Sequence, residues 1–114
     1  MSNVASHSKT DRIRVLNDNF RSTFVGGRVL TTASVAELPL DVKARLFLAV
    51  QSSSNFTKDN DPYDEHDFGA IELEGEKYFW KVDYYDNDSR FGSEDPADPE
   101  NTTRVLTIMR ADEY

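Results

Sequence analysis

The 114-residue chain contains no cysteine. That excludes a disulfide framework, a thiolate nucleophile and a thiolate-ligated metal, and it fits a reducing cytoplasm. Long apolar runs are missing too: the longest, Leu46–Val50, falls far short of a membrane span. Met1–Thr10 is polar and has no apolar h-region, so no secretory signal is expected. Basic residues are scarce. Lys and Arg number 13 against 21 Asp and Glu, giving a net charge of −8 and a pI near 4.6. Such a chain lacks the cations with which a sequence-independent nucleic-acid binder displaces counterions, and it does not suit an anionic membrane surface. Neither direct nucleic-acid binding nor membrane attachment is expected. No Gly-x-Ser-x-Gly elbow, phosphate loop or dinucleotide fingerprint is present. No catalytic residue, cofactor or metal is assigned on this basis.

What is present is acid, unevenly placed. Residues 1–50 hold seven basic and four acidic residues, a net of +3, whereas residues 51–114 hold six and seventeen, a net of −11. Two stretches carry most of the excess: Asp59–Asp67, with five acids in nine residues, and Glu94–Glu100, with four in seven. Charge asymmetry of this kind marks an interaction surface more readily than a fold.

The apolar pattern predicts one α+β domain over residues 9–114, preceded by a disordered tail over 1–8. Ser8 followed by Asp11 reads as a helix start. Ile13, Leu16, Phe20 and Phe24 recur at helical spacing, with Arg12, Arg14, Asn17, Asp18 and Arg21 elsewhere around the cylinder, and Gly26-Gly27 ends the helix near residue 24. Arg28–Thr32 is a short strand and Ser34–Leu38 a single helical turn. Pro39 opens a second helix to about Ser52, apolar around much of its circumference and therefore expected to be largely buried. Ser52–Asp67 is a long irregular loop. Phe68–Glu74 and Lys77–Asp86 alternate as strands of a hairpin turning at Gly75, with Ile71, Leu73, Tyr78, Trp80 and Val82 on one face. Glu72, Glu74, Lys77 and Lys81 read as cross-strand charge pairs on the wet face. Thr103–Arg110 alternates again. The expected architecture is two N-terminal helices packed on a small antiparallel sheet that ends in a three-stranded meander, with Trp80 in the core.

Several segments also carry a resemblance. They are Leu16-Asn17-Asp18-Asn19-Phe20-Arg21, Gly26-Gly27-Arg28-Val29, Asp59-Asn60-Asp61-Pro62, Glu65-His66-Asp67-Phe68-Gly69, Phe79–Asp86, Phe91–Pro96 and Thr103–Met109. Across residues 10–114 the chain resembles a family of short bacterial proteins, the domain of unknown function 3768, common on plasmids and other mobile elements. The resemblance brings no catalytic assignment. It implies gene neighbours of the anti-restriction or plasmid-maintenance type, which is company rather than chemistry. Asp64 departs from the family pattern, where a Gly or other small residue is more usual.

The Asp59–Asp67 run first suggests calcium, but an EF-hand loop starting at Asp59 would place Tyr63 at position 5, Asp64 at position 6 and Ala70 at position 12, so that match fails. A looser Ca²⁺ or Mg²⁺ site from Asp59, Asp61 and Asp67, a solvated acidic loop and a surface for a basic partner are the remaining readings. His66 lies between Glu65 and Asp67. It reads as a structural histidine, for example closing the loop onto the sheet by a hydrogen bond, rather than as a base or ligand, because the only other histidine is His7. Tyr84 and Tyr85, with Asp83 and Asp86, suit either half-core packing or an interface.

The function these features favour is a small, cytoplasmic, non-enzymatic binding protein of a mobile element. Its acidic face would meet a protein partner with a basic, nucleic-acid-binding surface, inhibiting or modulating it in the anti-restriction or anti-CRISPR manner by mimicry of nucleic-acid charge. The candidate partner-binding residues are Asp59, Asp61, Asp64, Glu65, Asp67, Tyr84, Tyr85, Glu94, Asp95 and Asp98. The alternative is a carboxylate-dependent divalent-metal enzyme using Asp59, Asp61, His66 and Asp67.

Overall fold

A computed structural model describes residues 8–114; the expected tail lies outside these residues apart from Ser8. Ser8 caps helix α1 (Lys9–Thr23), its Oγ accepting the Asp11 N–H at 3.1 Å. The helix stops before the expected glycines. Phe24 itself turns left-handed at φ 60° and donates its N–H to the Phe20 carbonyl, and Gly26 at φ 110° then carries the chain away. Asn17 and Arg21, expected outside the apolar stripe, are buried with Ile13 and Phe20. A full-length i, i+4 face runs through Ile13 and Asn17, so an amide sits where the stripe alone would call for a hydrocarbon.

Strand β1 (Arg28–Thr31) leads through a single helical turn, α2 (Ala33–Ala36), to helix α3 (Leu40–Gln51), for which Pro39 is the N-cap. Only Leu46 and Val50 of α3 are buried, while Leu40 is 81% and Leu48 62% exposed. The expectation of a largely buried helix is corrected: α3 rests on the core along one stripe, with Phe47 partly buried at its edge against Phe24, while Leu40 and Leu48 face outward.

Strands β2 (Phe68–Leu73), β3 (Glu76–Tyr85) and β4 (Thr103–Arg110) form the expected antiparallel meander. Leu73 pairs with Glu76, leaving Glu74 and Gly75, at φ 52° and 80°, as a two-residue turn of the type that matches strand twist. The sheet as a whole is mixed rather than antiparallel. β1 joins it in parallel on the outer edge of β4, with Arg28 opposite Val105 and Thr31 opposite Ile108, in the order β1-β4-β3-β2. Of the expected charge pairs, Glu72 and Lys77 are direct cross-strand neighbours; Glu74 pairs instead with Arg45 of α3, and Lys81 with Asp83.

One sheet face carries the core, where Tyr78, Trp80, Val82, Leu106 and Ile108 meet Phe20, Val35, Leu46 and Val50. Trp80 is completely buried and donates its indole N–H to Ser53 Oγ at 3.1 Å. Its ring lies flat against Gly69 on β2, where a Cβ would come within 2.4 Å of the indole nitrogen. On the other face Phe68, Phe79 and Tyr114 form an aromatic group with ring centroids 4.9–5.5 Å apart. The core face supplies most of the stabilisation, at about 25 cal/mol per Å² of apolar surface removed from water, while the aromatic group on the other face is only partly covered, Tyr114 remaining 73% exposed. Among the described residues no helix is long and apolar enough to cross a membrane.

Candidate functional site

The loop between α3 and β2 is organised from inside by Asp61. Its Oδ1 accepts the backbone N–H groups of Glu65 and His66, both at 3.0 Å, and the residue is only 6% exposed. A carboxylate accepting two backbone donors holds a loop much as an N-cap holds a helix. Around it the chain makes two left-handed residues, Asp64 at φ 60° and His66 at φ 55°. Asp64 thus stands where glycine would carry no steric penalty, which matches the small residue the resemblance leads one to expect. Its carboxylate pairs with Arg14 of α1 at 2.9 Å.

His66 stacks on Phe56, with ring centroids 3.7 Å apart and planes 4° from parallel, and its Nδ1 lies 2.8 Å from Asp18 Oδ1. The histidine therefore closes the loop onto helix α1, not onto the sheet. Asp18 in turn pairs with the buried Arg21, whose guanidinium donates to the Ser53 carbonyl and lies over the Phe56 and Trp80 rings.

A second polar group is buried beneath the loop. The Asn17 side-chain amide donates to the Glu65 carbonyl (3.0 Å) and to the Tyr84 hydroxyl (2.7 Å), and its oxygen accepts Arg104 Nε at 2.8 Å. Tyr84 donates to Glu65 Oε1 at 2.8 Å, and Arg104 spans its ring and reaches the Pro96 carbonyl. Burial pushes the Tyr84 phenol well above its ordinary range and the Arg104 guanidinium below its own. Through these four side chains the two acidic loops share one anchor: Glu65 of the first is held by Asn17 of α1 directly, and Pro96 of the second through Arg104. The helix adds an outer tie to each, Arg14 to Asp64 and Lys9 to Asp95 at 3.7 Å.

In the second loop, between β3 and β4, acids cap turns of their own chain. Asp86 accepts from Arg90 N–H, Asp95 from Ala97 N–H, and Asp98 from Glu100 N–H and the Asn101 side chain. Asp86, Glu94, Asp95 and Asp98 line a cleft of about 510 Å³ around the 70%-exposed Phe91.

The candidate partner-binding residues thus divide. Asp61 is turned inward, Tyr84 and Glu65 belong to the buried network, Tyr85 is half-buried beside Gly92, and Asp98 serves the second loop. Asp59, Asp64 and Glu94 are exposed, and Asp67 is half-buried. Among the described residues Asp59 and Asp67 make no ion pair. Sequence reading missed Asn17, Asp18, Arg21 and Arg104. Arg104 left a signal, because it falls on the same face of β4 as Leu106 and Ile108, where a charge must find partners.

For metal binding, Asp61, Asp64 and His66 bring potential ligand atoms within 4.8 Å of one another, the one such group among the described residues. Each is already engaged: Asp61 by two backbone donors, His66 by Asp18, Asp64 by a cation. Asp59 and Asp67, the other carboxylates of the metal-enzyme reading, do not join them.

The family described as Protein of unknown function (DUF3768) matches residues 31–113. The chain belongs to this family. The match takes in both acidic loops, His66, Tyr84 and Arg104, and it begins beyond Asn17 and the rest of α1. No curated protein and no solved structure matches the chain.

Proposed function

We propose that this member of the family is a non-enzymatic binding protein, acting in the bacterial cytoplasm, that offers an acidic surface to the basic, nucleic-acid-binding surface of a protein partner. The reading rests on the −11 net charge of residues 51–114, part of which is held outward in Asp59 and Glu94, and in Asp64 beside its Arg14 partner, by loops anchored from within. Loops fixed by buried hydrogen bonds present their charges with little ordering cost on binding, which favours specificity as well as encounter rate. The implied company of mobile-element genes gives the partner a direction: a restriction or CRISPR protein whose nucleic-acid site the acids occupy.

The metal-enzyme reading has less support: of the residues it names only Asp61 and His66 converge, joined by Asp64, while Asp59 and Asp67 stand apart, and each of the three that converge already holds a hydrogen bond or an arginine through one of its polar atoms. The test is retention of proteins from a bacterial lysate by the immobilised chain, and by a variant neutralised at Asp59, Asp64 and Glu94. Nucleic-acid-binding proteins held at about 0.1 M salt, released near 1 M and not retained by the variant are the expected result. Equal retention by both chains, or retention insensitive to salt, contradicts the reading.

A further inference from the structure

A groove of about 320 Å³ runs between the acidic loop and the aromatic face of the sheet, lined by Asp59, Tyr63, Asp67, Phe68 and Tyr114 among others. Its volume is at the small end of ligand clefts, the size for one side chain rather than a large molecule. Tyr63 and Tyr114 are 75% and 73% exposed, so both rings are open to an incoming side chain. Phe68 is half-buried and holds Tyr114 in edge contact, with ring centroids 5.4 Å apart. The second acidic cleft differs at this point: its Asp86, Asp95 and Asp98 are taken up by backbone donors and Lys9. In the groove neither Asp59 nor Asp67 has an ion-pair partner among the described residues. Asp67 is half-buried next to Glu65, Asp61 and Asp83, and burial and then Glu65 push its carboxyl above the usual range. A carboxylate half-removed from water beside other acids gains more from an incoming cation than an exposed one does.

We infer that this groove receives an arginine side chain of the basic protein partner, the guanidinium lying against the tyrosine rings and pairing with Asp67 and Asp59. The inference deepens the proposed function and rests on it. Arginine rather than lysine follows from the lining: a planar guanidinium stacks on aromatic faces while its N–H fork meets a carboxylate, whereas a compact, strongly hydrated ammonium does the first poorly.

The probe is octa-arginine, titrated into isotope-labelled full-length chain with the ring signals of Tyr63, Tyr114, Phe68 and Phe91 followed by NMR, and octa-lysine as the comparison. The expected result is saturable shifts at Tyr63 and Tyr114, with affinity about tenfold weaker for Tyr63→Ala and for Asp67→Asn, and weaker for octa-lysine than for octa-arginine. Tyr114→Ala serves as a second variant on a different element, and the amide spectrum of each variant reports folding. Shifts confined to Phe91 and the Glu94–Asp98 amides would overturn the groove while leaving the acidic-surface reading intact. Equal affinity for octa-lysine would overturn the assignment of arginine, and no shifts at all at low salt would overturn both readings.

Discussion

The two acidic loops have similar composition but use their acids differently. The first, between α3 and β2, uses Asp61 to gather its own backbone and sends Glu65 down to Tyr84, leaving Asp59 exposed and Asp67 half-buried with no cation among the described residues. The second, between β3 and β4, caps three short turns with Asp86, Asp95 and Asp98, and keeps Glu94 outward. Acid content therefore overstates the charge either loop can offer a partner. What distinguishes the available carboxylates is whether a backbone N–H, a hydroxyl or a cation of the chain already meets them. The loops also share a foundation, the Asn17–Tyr84–Glu65–Arg104 network, so they are not independent.

The largest expected effect comes from removing that foundation. Asn17→Ala leaves Arg104 Nε and the Tyr84 hydroxyl each short of a partner in the interior, and unsatisfied buried groups cost about 1–3 kcal/mol each. A loss of about 3 kcal/mol in urea unfolding, with faster amide exchange in both loops, is the outcome to measure. Exchange faster in one loop alone would show that the two are anchored separately. Next comes the contrast between the loops' inward acids. Asp61→Ala strips two part-buried backbone donors of their acceptor and should cost about 2 kcal/mol. Asp98→Ala removes the cap of a short exposed turn and should cost about 1 kcal/mol or less.

A smaller effect is tied to pH. Asp67 has a carboxyl pKa raised by burial and by Glu65. A raised folded-state pKa means the folded protein binds that proton more tightly than the unfolded chain, so stability declines as pH rises through the window just above the ordinary carboxylate range. Asp67→Asn should flatten this slope in thermal unfolding and make the protein slightly more stable at neutral pH. A steeper slope, or lower stability at neutral pH, would mean that Asp67 is satisfied by a cation in the folded state. The smallest effect is expected from the outward acids: Asp59→Asn with Glu94→Gln should leave stability within about 0.5 kcal/mol of wild type.

Much of the fold was legible in the sequence because short-range patterns dictate it. Alternation along residues 68–85 with a turn at Gly75 sets both the hairpin and the face carrying Trp80, and Ser8 with Asp11 marks the start of α1. The parallel pairing of β1 was not legible, since four residues, Arg28–Thr31, pair with a strand more than seventy positions away and carry no local mark of direction. The burial of α3 was overread because apolar content does not say how much of a helix its neighbours cover. At the candidate site the acids were visible, but their division into inward and outward groups was not. That division is made by Asn17 and Arg104, 87 residues apart, and by the turn with left-handed Asp64 and His66, in which the Glu65 and His66 N–H groups meet Asp61.

The most direct test of the account is the association rate of a purified basic partner retained from lysate, measured at about 0.1 M and about 1 M salt, where the Debye length falls from about 10 to about 3 Å. Neutralising the outward acids Asp59, Asp64 and Glu94 should slow association at the lower salt about tenfold and change dissociation little, while Asp98→Asn, with the fold intact by circular dichroism, should leave association near the wild-type value. Association that is unchanged by the outward substitutions, or that is equally fast at both salts, would contradict the claim that these acids meet the partner.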